Sequence, residues 1–487
     1  MMKKVSLFVV LICTATLLAA QGYRITARYK PVPDGKLYLG YYFGNQKYVL
    51  DSALLQPNGE AVFTGAEKLT VGLYLIVDPK KSIFFDILID KEQEFSVSID
   101  SINFTATAIT GSQENNFLAA YKSASAFHYR NYQQQQTALA TAKTKQDSTV
   151  LLSRMNEANE NMQHWRDSFV LKQPESYLSL LFRLLKEPVY TVAGAKTKQD
   201  TLAAFYKYKN EFWKDVSIAD ERLLRTPMFE QRLNRYFETA VYRQPDSLKL
   251  ELDKFILYSR TNKTMFRYYI NRFTNEYMNP KYMGLDVVFL HLFEKYYLSN
   301  QVDWLEKKDR DLVFNRAYSL YGNIIGEPAA ELKLLDTLNK NVNLYAVKAP
   351  YTLVVFWDPD CGHCKEQVPK IDSLYRLRWK KQGVKLIGVL SDGAGNDEAK
   401  AKETKAKWTE FIRTHELNSW MHWYQTVQMR AAEQASQTPG FRQSYDVFQT
   451  PTIYLLDEQK RIIAKKINPE QVDEFLQFKE NNTSKNP

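Results

Sequence analysis

Two cysteines, Cys361 and Cys364, stand C-x-x-C in the segment Phe356-Trp357-Asp358-Pro359-Asp360-Cys361-Gly362-His363-Cys364-Lys365-Glu366-Gln367-Val368-Pro369. The apolar run Leu353–Trp357 before them reads as a buried strand, and the residues after Cys361 read as a helix. The first thiol therefore falls at a helix N-terminus, where unpaired N–H groups and the helix dipole favour negative charge. A thiolate in such a place can have its pKa lowered from ~8.5 to about 3.5–7.5. Cys361 is then the ionised nucleophile, while Cys364, one turn further in, keeps its proton. Such a pair does thiol–disulfide exchange: Cys361 attacks a substrate disulfide to give a mixed disulfide, and Cys364 resolves it. The dithiol and the Cys361–Cys364 disulfide are the two ends of that cycle.

Three cysteines in 487 residues exclude a disulfide-stapled scaffold. The third, Cys13, lies in an N-terminal stretch built like a secretory signal: Met1-Met2-Lys3-Lys4, an apolar run from Val5 to Ala20, then Gln21 and Gly22. Cleavage is expected after Ala20 or Gly22. The run is shorter than the ~20 residues a membrane-spanning helix needs, and no later stretch is apolar enough to span. Ile12 stands before Cys13 where a lipoprotein signal carries a small residue, which argues against a lipid anchor. The expected mature chain is exported to the periplasm or cell envelope, has no membrane span, and keeps Cys361 and Cys364 as its only thiols.

Other chemistries fit poorly. A structural zinc site wants four ligands, and no second Cys or Cys/His pair accompanies these two. Haem attachment needs His directly after the second Cys, where Lys365 stands. By analogy with peroxiredoxins, a peroxidatic cysteine would have Thr or Ser three residues earlier, where Asp358 stands. Sixty-five basic against 55 acidic residues is a diluted excess with no basic run, so nucleic acid is not an expected partner. A chain 45% hydrophobic and 25% charged, with 31 Tyr and 27 Phe, has the composition of packed domains and the large side chains to fill their cores.

Glycine and proline divide the rest of the chain. After the signal (1–22), residues 23–110 carry short alternating strands. Gly44-Asn45 and Asn58-Gly59 read as hairpin turns, and 83–89 and 94–99 as further strands, which predicts an antiparallel all-β sandwich. Residues 111–320 have apolar positions at helical spacing (Phe229, Leu233, Tyr236, Phe237, Val241) and predict an all-α domain opened by Ser112, Asn115 and Asn116. Ala-Lys-Thr-Lys-Gln-Asp occurs at 142–147 and again at 195–200, and reads as two similar capped loops. Residues 321–487 alternate strand, helix, strand, helix, hairpin, helix, an α/β layer fold. His128, His164, His291, His415 and His422 read as surface or partly packed, Trp420, Trp423 and Tyr424 as core, and the charges of 397–407 as a solvated helix face.

The last ~165 residues resemble the thioredoxin-fold thiol–disulfide oxidoreductases of the TlpA/ResA-like family. The resemblance rests on the strand Leu353–Trp357, Cys361-Gly362-His363-Cys364, Pro369 and Thr450-Pro451-Thr452. It implies a C-terminal thioredoxin fold with no metal or organic cofactor, protein thiol or disulfide substrates, and a redox partner. It further implies a cis Pro451 facing the cysteines, and a substrate segment lying along Thr450, Pro451 and Trp357. The three-part layout also resembles exported proteins that carry β-rich and helical domains before such a thioredoxin.

The site departs from the wider pattern in three places. Asp360 replaces the Trp that many thioredoxins carry before the first Cys, Val355 replaces their buried Asp, and Gln367 stands where TlpA/ResA-like members often have Glu. Glu366 is then the expected proton acceptor for Cys364. Gly362-His363 and Asp360 are expected to tune the potential. Cys-Gly-His-Cys is associated with protein disulfide isomerase at about −180 mV, against about −270 mV for thioredoxin, a gap of roughly 4 kcal/mol. A potential above thioredoxin's is expected, with the direction of electron flow open. The alternative is an envelope adaptor that uses the thioredoxin fold as a scaffold.

Overall fold

The computed structural model describes residues 22–82, 84–103 and 107–483. Apart from Gly22, the expected signal segment lies outside the described residues. The chain divides into two units: residues up to Arg243 with Leu257–Met265, and Gln244–Ile256 with Phe266 onward. Among the described residues no helix is long and apolar enough to cross a membrane.

The first unit opens with eight strands: β1 (Tyr23–Lys30), β2 (Lys36–Phe43), β3 (Gln46–Leu54), β4 (Glu60–Gly65), β5 (Gly72–Val77), β6 (Phe84–Ile89), β7 (Glu94–Asp100) and β8 (Ala108–Thr110). They form two four-stranded sheets, ordered β4-β1-β7-β8 and β3-β2-β5-β6. Alternation along β1 sends Ile25, Ala27 and Tyr29 inward and Arg24 and Arg28 outward. The inward residues share one core with Leu37, Leu39, Phe63, Tyr74, Ile76, Phe95 and Val97 from both sheets, the sandwich expected from the sequence.

Two details differ from the expectation. β1 and β7 run parallel, with Ile25 opposite Phe95 and Ala27 opposite Val97. The chain visits the second sheet twice between them, so no hairpin fixes their relative direction. Gly44-Asn45 does close the β2–β3 hairpin, with Phe43 opposite Gln46. Asn58-Gly59 instead makes a tight turn, Gly59 at φ 79°, that passes the chain from one sheet to the other.

The helices of this unit are α1 (Gln113–Ala140), α2 (Lys145–Lys172), α3 (Tyr177–Leu185), α4 (Lys198–Glu211) and α5 (Pro227–Thr239). Ser112 caps α1 by accepting from the Asn115 N–H. The duplicated hexapeptide places Thr144 and Thr197 as caps of α2 and α4, each accepting from the N–H of the Asp three residues on. Those are the two capped loops read from the sequence.

The second unit contains α6 (Pro245–Tyr258) as far as Ile256, α7 (Lys263–Met278) from Phe266, α8 (Asp286–Leu292) and α9 (Lys307–Tyr321). It continues with β9 (Lys333–Asp336), β10 (Asn341–Asn343), β11 (Tyr351–Trp357), α10 (Gly362–Leu374), β12 (Val384–Leu390) and α11 (Glu398–Thr414). It ends with β13 (Met421–Tyr424), α12 (Val427–Ala435), α13 (Phe441–Ser444), β14 (Thr452–Leu456), β15 (Ile462–Lys465) and α14 (Pro469–Thr483). One seven-stranded sheet runs β10-β9-β13-β12-β11-β14-β15, with β11, β12 and β13 parallel. This is a thioredoxin-like mixed sheet.

β11 is the central strand, buried on both faces, which is why it reads as an unbroken apolar run. Leu353, Val355 and Trp357 enter a core with Cys364, Trp408 and Trp420, while Val354 and Phe356 enter the opposite core with Phe441 and Tyr445. Trp420, Trp423 and Tyr424 are core residues, as expected.

Candidate active site

Strand β11 ends at Trp357, and a three-residue loop delivers Cys361 to the N-cap of α10. The loop is held by its own acid: the Asp360 N–H donates to Asp358 Oδ1 at 2.8 Å and the Cys361 N–H to the Asp358 carbonyl at 3.2 Å. Cys361 is partly exposed, whereas Cys364 is wholly buried, and both are unbridged thiols. The Thr450–Pro451 peptide is cis. The Thr450 carbonyl lies 3.2 Å from Cys361 Sγ and accepts the thiol proton.

The two thiols are electrostatically unlike. Burial pushes the Cys361 pKa up, but bonds from the Thr450 side chain and from Cys364 and the His363 backbone outweigh it, so the net shift is down. Cys364 goes the other way: burial, assisted by the neighbouring Cys361, pushes it up to about 12. Such a pair offers one sulfur that ionises more readily and one that holds its proton.

The structure gathers Gly362, His363, Thr450 and Pro451 around Cys361, and Asp360 flanks it. Gly362 is exposed, and a Cβ there would meet nothing within 4 Å, so space alone does not require glycine. His363 is exposed and reaches the sulfur through its backbone.

Two expectations need correction. Trp357 cannot line a substrate groove, because it is 0% exposed and packs against Trp408 and Phe411 with ring centroids 6.2 and 5.2 Å away. Its side chain follows the strand alternation into the core. Glu366 is exposed and lies two residues beyond Cys364, on the opposite side of α10, so it does not reach the buried thiol. Gln367 is on the Cys364 side, with a buried Oε1 that has no hydrogen-bond partner.

Other charged groups near the loop carry no sequence signal that ties them to it. Lys407 Nζ of α11 lies 3.1 Å from both Asp360 oxygens. Burial raises the Asp358 pKa, helped by the charges of Asp360 and Asp392 and opposed by the Asp360 N–H bond and by Arg442, whose Nη2 donates to the Asp392 carbonyl at 2.5 Å.

His422 is also corrected, from partly packed to buried (7% exposed). Its Nε2 bonds the Leu417 carbonyl at 2.9 Å. Its strand partner Gly388 is closely packed: a Cβ would meet Trp357 Nε1 at 3.1 Å and His422 Nδ1 at 3.2 Å. Burial pushes the His422 pKa from 6.5 down to about 4. The unfolded chain therefore takes up a proton between those pH values that the folded chain refuses. The resulting stability is fully present above pH 6.5 and is lost as pH falls towards 4, by about 3 kcal/mol in all. Urea unfolding between pH 7 and 4.5 should show most of this loss in the native protein and not in His422→Gln. Equal acid losses in the two would refute the assignment.

Topology and cysteine pair together define a thioredoxin-like oxidoreductase of the thiol–disulfide type. Residues 325–465 match the AhpC/TSA family, and residues 23–118 match a domain of unknown function, DUF4369. The thiol–disulfide oxidoreductase ResA of Bacillus cereus is 24% identical over 156 residues, 31% of this chain and 77% of that protein. A solved thioredoxin-like protein from Bacteroides caccae is 17% identical with a TM-score of 0.45, covering 60% of this chain and 98% of its own. A solved domain of a possible thiol-disulfide isomerase from Cytophaga hutchinsonii is 30% identical with a TM-score of 0.27, covering 33% of this chain and 97% of that domain. The C-terminal region is thus a thioredoxin-like domain with ResA-like thiol–disulfide oxidoreductase homologues, and the N-terminal region carries the DUF4369 domain.

Proposed function

We propose that the protein is an exported oxidoreductase that exchanges protein disulfides through Cys361-Gly362-His363-Cys364. The observation that carries the reading is the contrast between a reachable Cys361 with a lowered pKa and a buried Cys364 raised to about 12. An extended substrate segment would lie along Thr450 and Pro451. The Cys361 thiolate attacks one substrate sulfur, the substrate S–S bond breaks, and the other substrate sulfur leaves as a thiolate that takes up a proton. Cys364 then loses its proton and attacks Cys361 Sγ. This releases the second substrate thiol and leaves the Cys361–Cys364 disulfide. Two electrons have passed to the substrate, and a dithiol redox partner must restore the pair. Run in reverse, the same steps oxidise a substrate dithiol. Gly362, His363 and Asp360 set the balance between the two directions. Export to the periplasm or cell envelope rests on the signal-like residues 1–22.

Blocking resolution tests the proposal. Cys364→Ser should accumulate a mixed disulfide with a protein substrate such as insulin, stable on non-reducing gels and released by dithiothreitol. Native protein should reduce insulin catalytically in the presence of dithiothreitol. Only free Cys364→Ser protein under turnover, with no insulin rate above background, would leave the scaffold reading standing instead.

A further inference from the structure

An acid immediately before the nucleophilic cysteine should oppose its ionisation, yet Asp360 occupies that place. The answer lies on α11. Lys407 Nζ sits 3.1 Å from both Asp360 carboxylate oxygens, and 3.0 Å from Glu403 Oε1 one turn earlier on the same helix. The next residue, Trp408, is wholly buried against Trp357, the last residue of β11 before the cysteine loop. The lysine is therefore carried on a backbone anchored to the same core from which the loop departs. Its ammonium is held in its charged form by Glu403 first and Asp360 second.

We infer that Lys407 is a positioning residue for the cysteine chemistry, a charge clamp that draws the Asp360 carboxylate towards α11 and cancels its field at Cys361 Sγ. The inference deepens the exchange reading and rests on it. The other charged or titratable groups around the sulfur are Asp358 in the loop, with Asp392 and Arg442 acting on it, and His363, Cys364, Lys365 and Glu366 on α10. Among the described residues none of them bonds the Asp360 carboxylate; Asp358 Oδ1 accepts only the Asp360 backbone N–H. Both clamp partners are about half-exposed, so the effect is modest and screened by salt.

The test is the rate of Cys361 alkylation by iodoacetamide in the reduced full chain, followed against pH, because only the thiolate reacts. Lys407→Gln should slow alkylation near neutral pH by about two- to fivefold and move its midpoint up. Asp360→Asn should act in the opposite sense. The double variant Asp360→Asn/Lys407→Gln should return to the native rate, and Lys407→Arg should keep it. The difference between Lys407→Gln and native protein should shrink in ~1 M salt, where the screening length is about 3 Å. A native rate in Lys407→Gln, or a double variant as slow as Lys407→Gln, would overturn the clamp. Alkylation needs no substrate disulfide, so failure of the exchange reading would appear separately, as absent insulin reduction with the alkylation pattern intact.

Discussion

Cys361→Ser is expected to drop insulin reduction to the uncatalysed rate, a fall of more than about a thousandfold, the scale on which nucleophile deletions act. A serine hydroxyl at the helix start keeps its proton and has no sulfur to exchange. The remaining cysteine cannot substitute, because its burial acts against it twice. Cys364 has no exposed surface, so a protein disulfide cannot reach it. Burial also pushes its pKa up, so it holds its proton near neutral pH. Stopped-assay measurement of insulin turbidity, with folding checked by circular dichroism, decides the matter. Residual activity within tenfold of native would mean that another group does the chemistry.

The second large effect concerns stability. Lys465 of β15 is buried with Asp286 of α8, their side chains 4% and 7% exposed. Lys465 Nζ donates to the Asp286 carboxylate and to both the carbonyl and the side-chain oxygen of Asn323. Asp286→Ala leaves a buried ammonium with only neutral acceptors. Breaking one partner of such a pair typically costs about 3–5 kcal/mol, measurable as a fall in the urea midpoint. Replacing both charges, as in Asp286→Leu/Lys465→Met, should recover most of that loss, since a matched apolar pair removes the desolvation penalty. An Asp286→Ala loss below about 1 kcal/mol would show that water reaches the pair and relieves it.

Asp446, fully buried between Arg316 of α9 and Lys466, makes a second seam of the same kind. The helical residues from Phe266 to Tyr321 are thus joined by buried charge to the thioredoxin-like sheet. A truncation that begins at residue 322 would strand Lys465, Asp446 and Lys466 without Asp286 and Arg316.

The parts of the fold legible in the sequence were those set by local chemistry. Gly44-Asn45 supplies a two-residue hairpin turn, and Thr144 and Thr197 cap helices through an Asp three residues on. The run Leu353–Trp357 reads as a strand because both its faces are buried. The cysteine pair was legible because its spacing is its mechanism. What stayed hidden depends on residues far apart in the chain. Asn58-Gly59 looks like any hairpin turn until the partners of β3 and β4 are known. Trp357 borders the cysteine loop in sequence, yet strand alternation turns it inward. Lys407 lies 47 residues from Asp360, among charges that otherwise face solvent.

The deep shelter of Cys364 also bears on timing. The burial that holds the Cys364 proton acts, in the proposed exchange, on the step that releases the client, so breakdown of the covalent conjugate is expected to depend on pH. Mild acid should lengthen that tether and mild base shorten it, so the duration of the grip is governed by hydrogen-ion concentration as well as by contact strength.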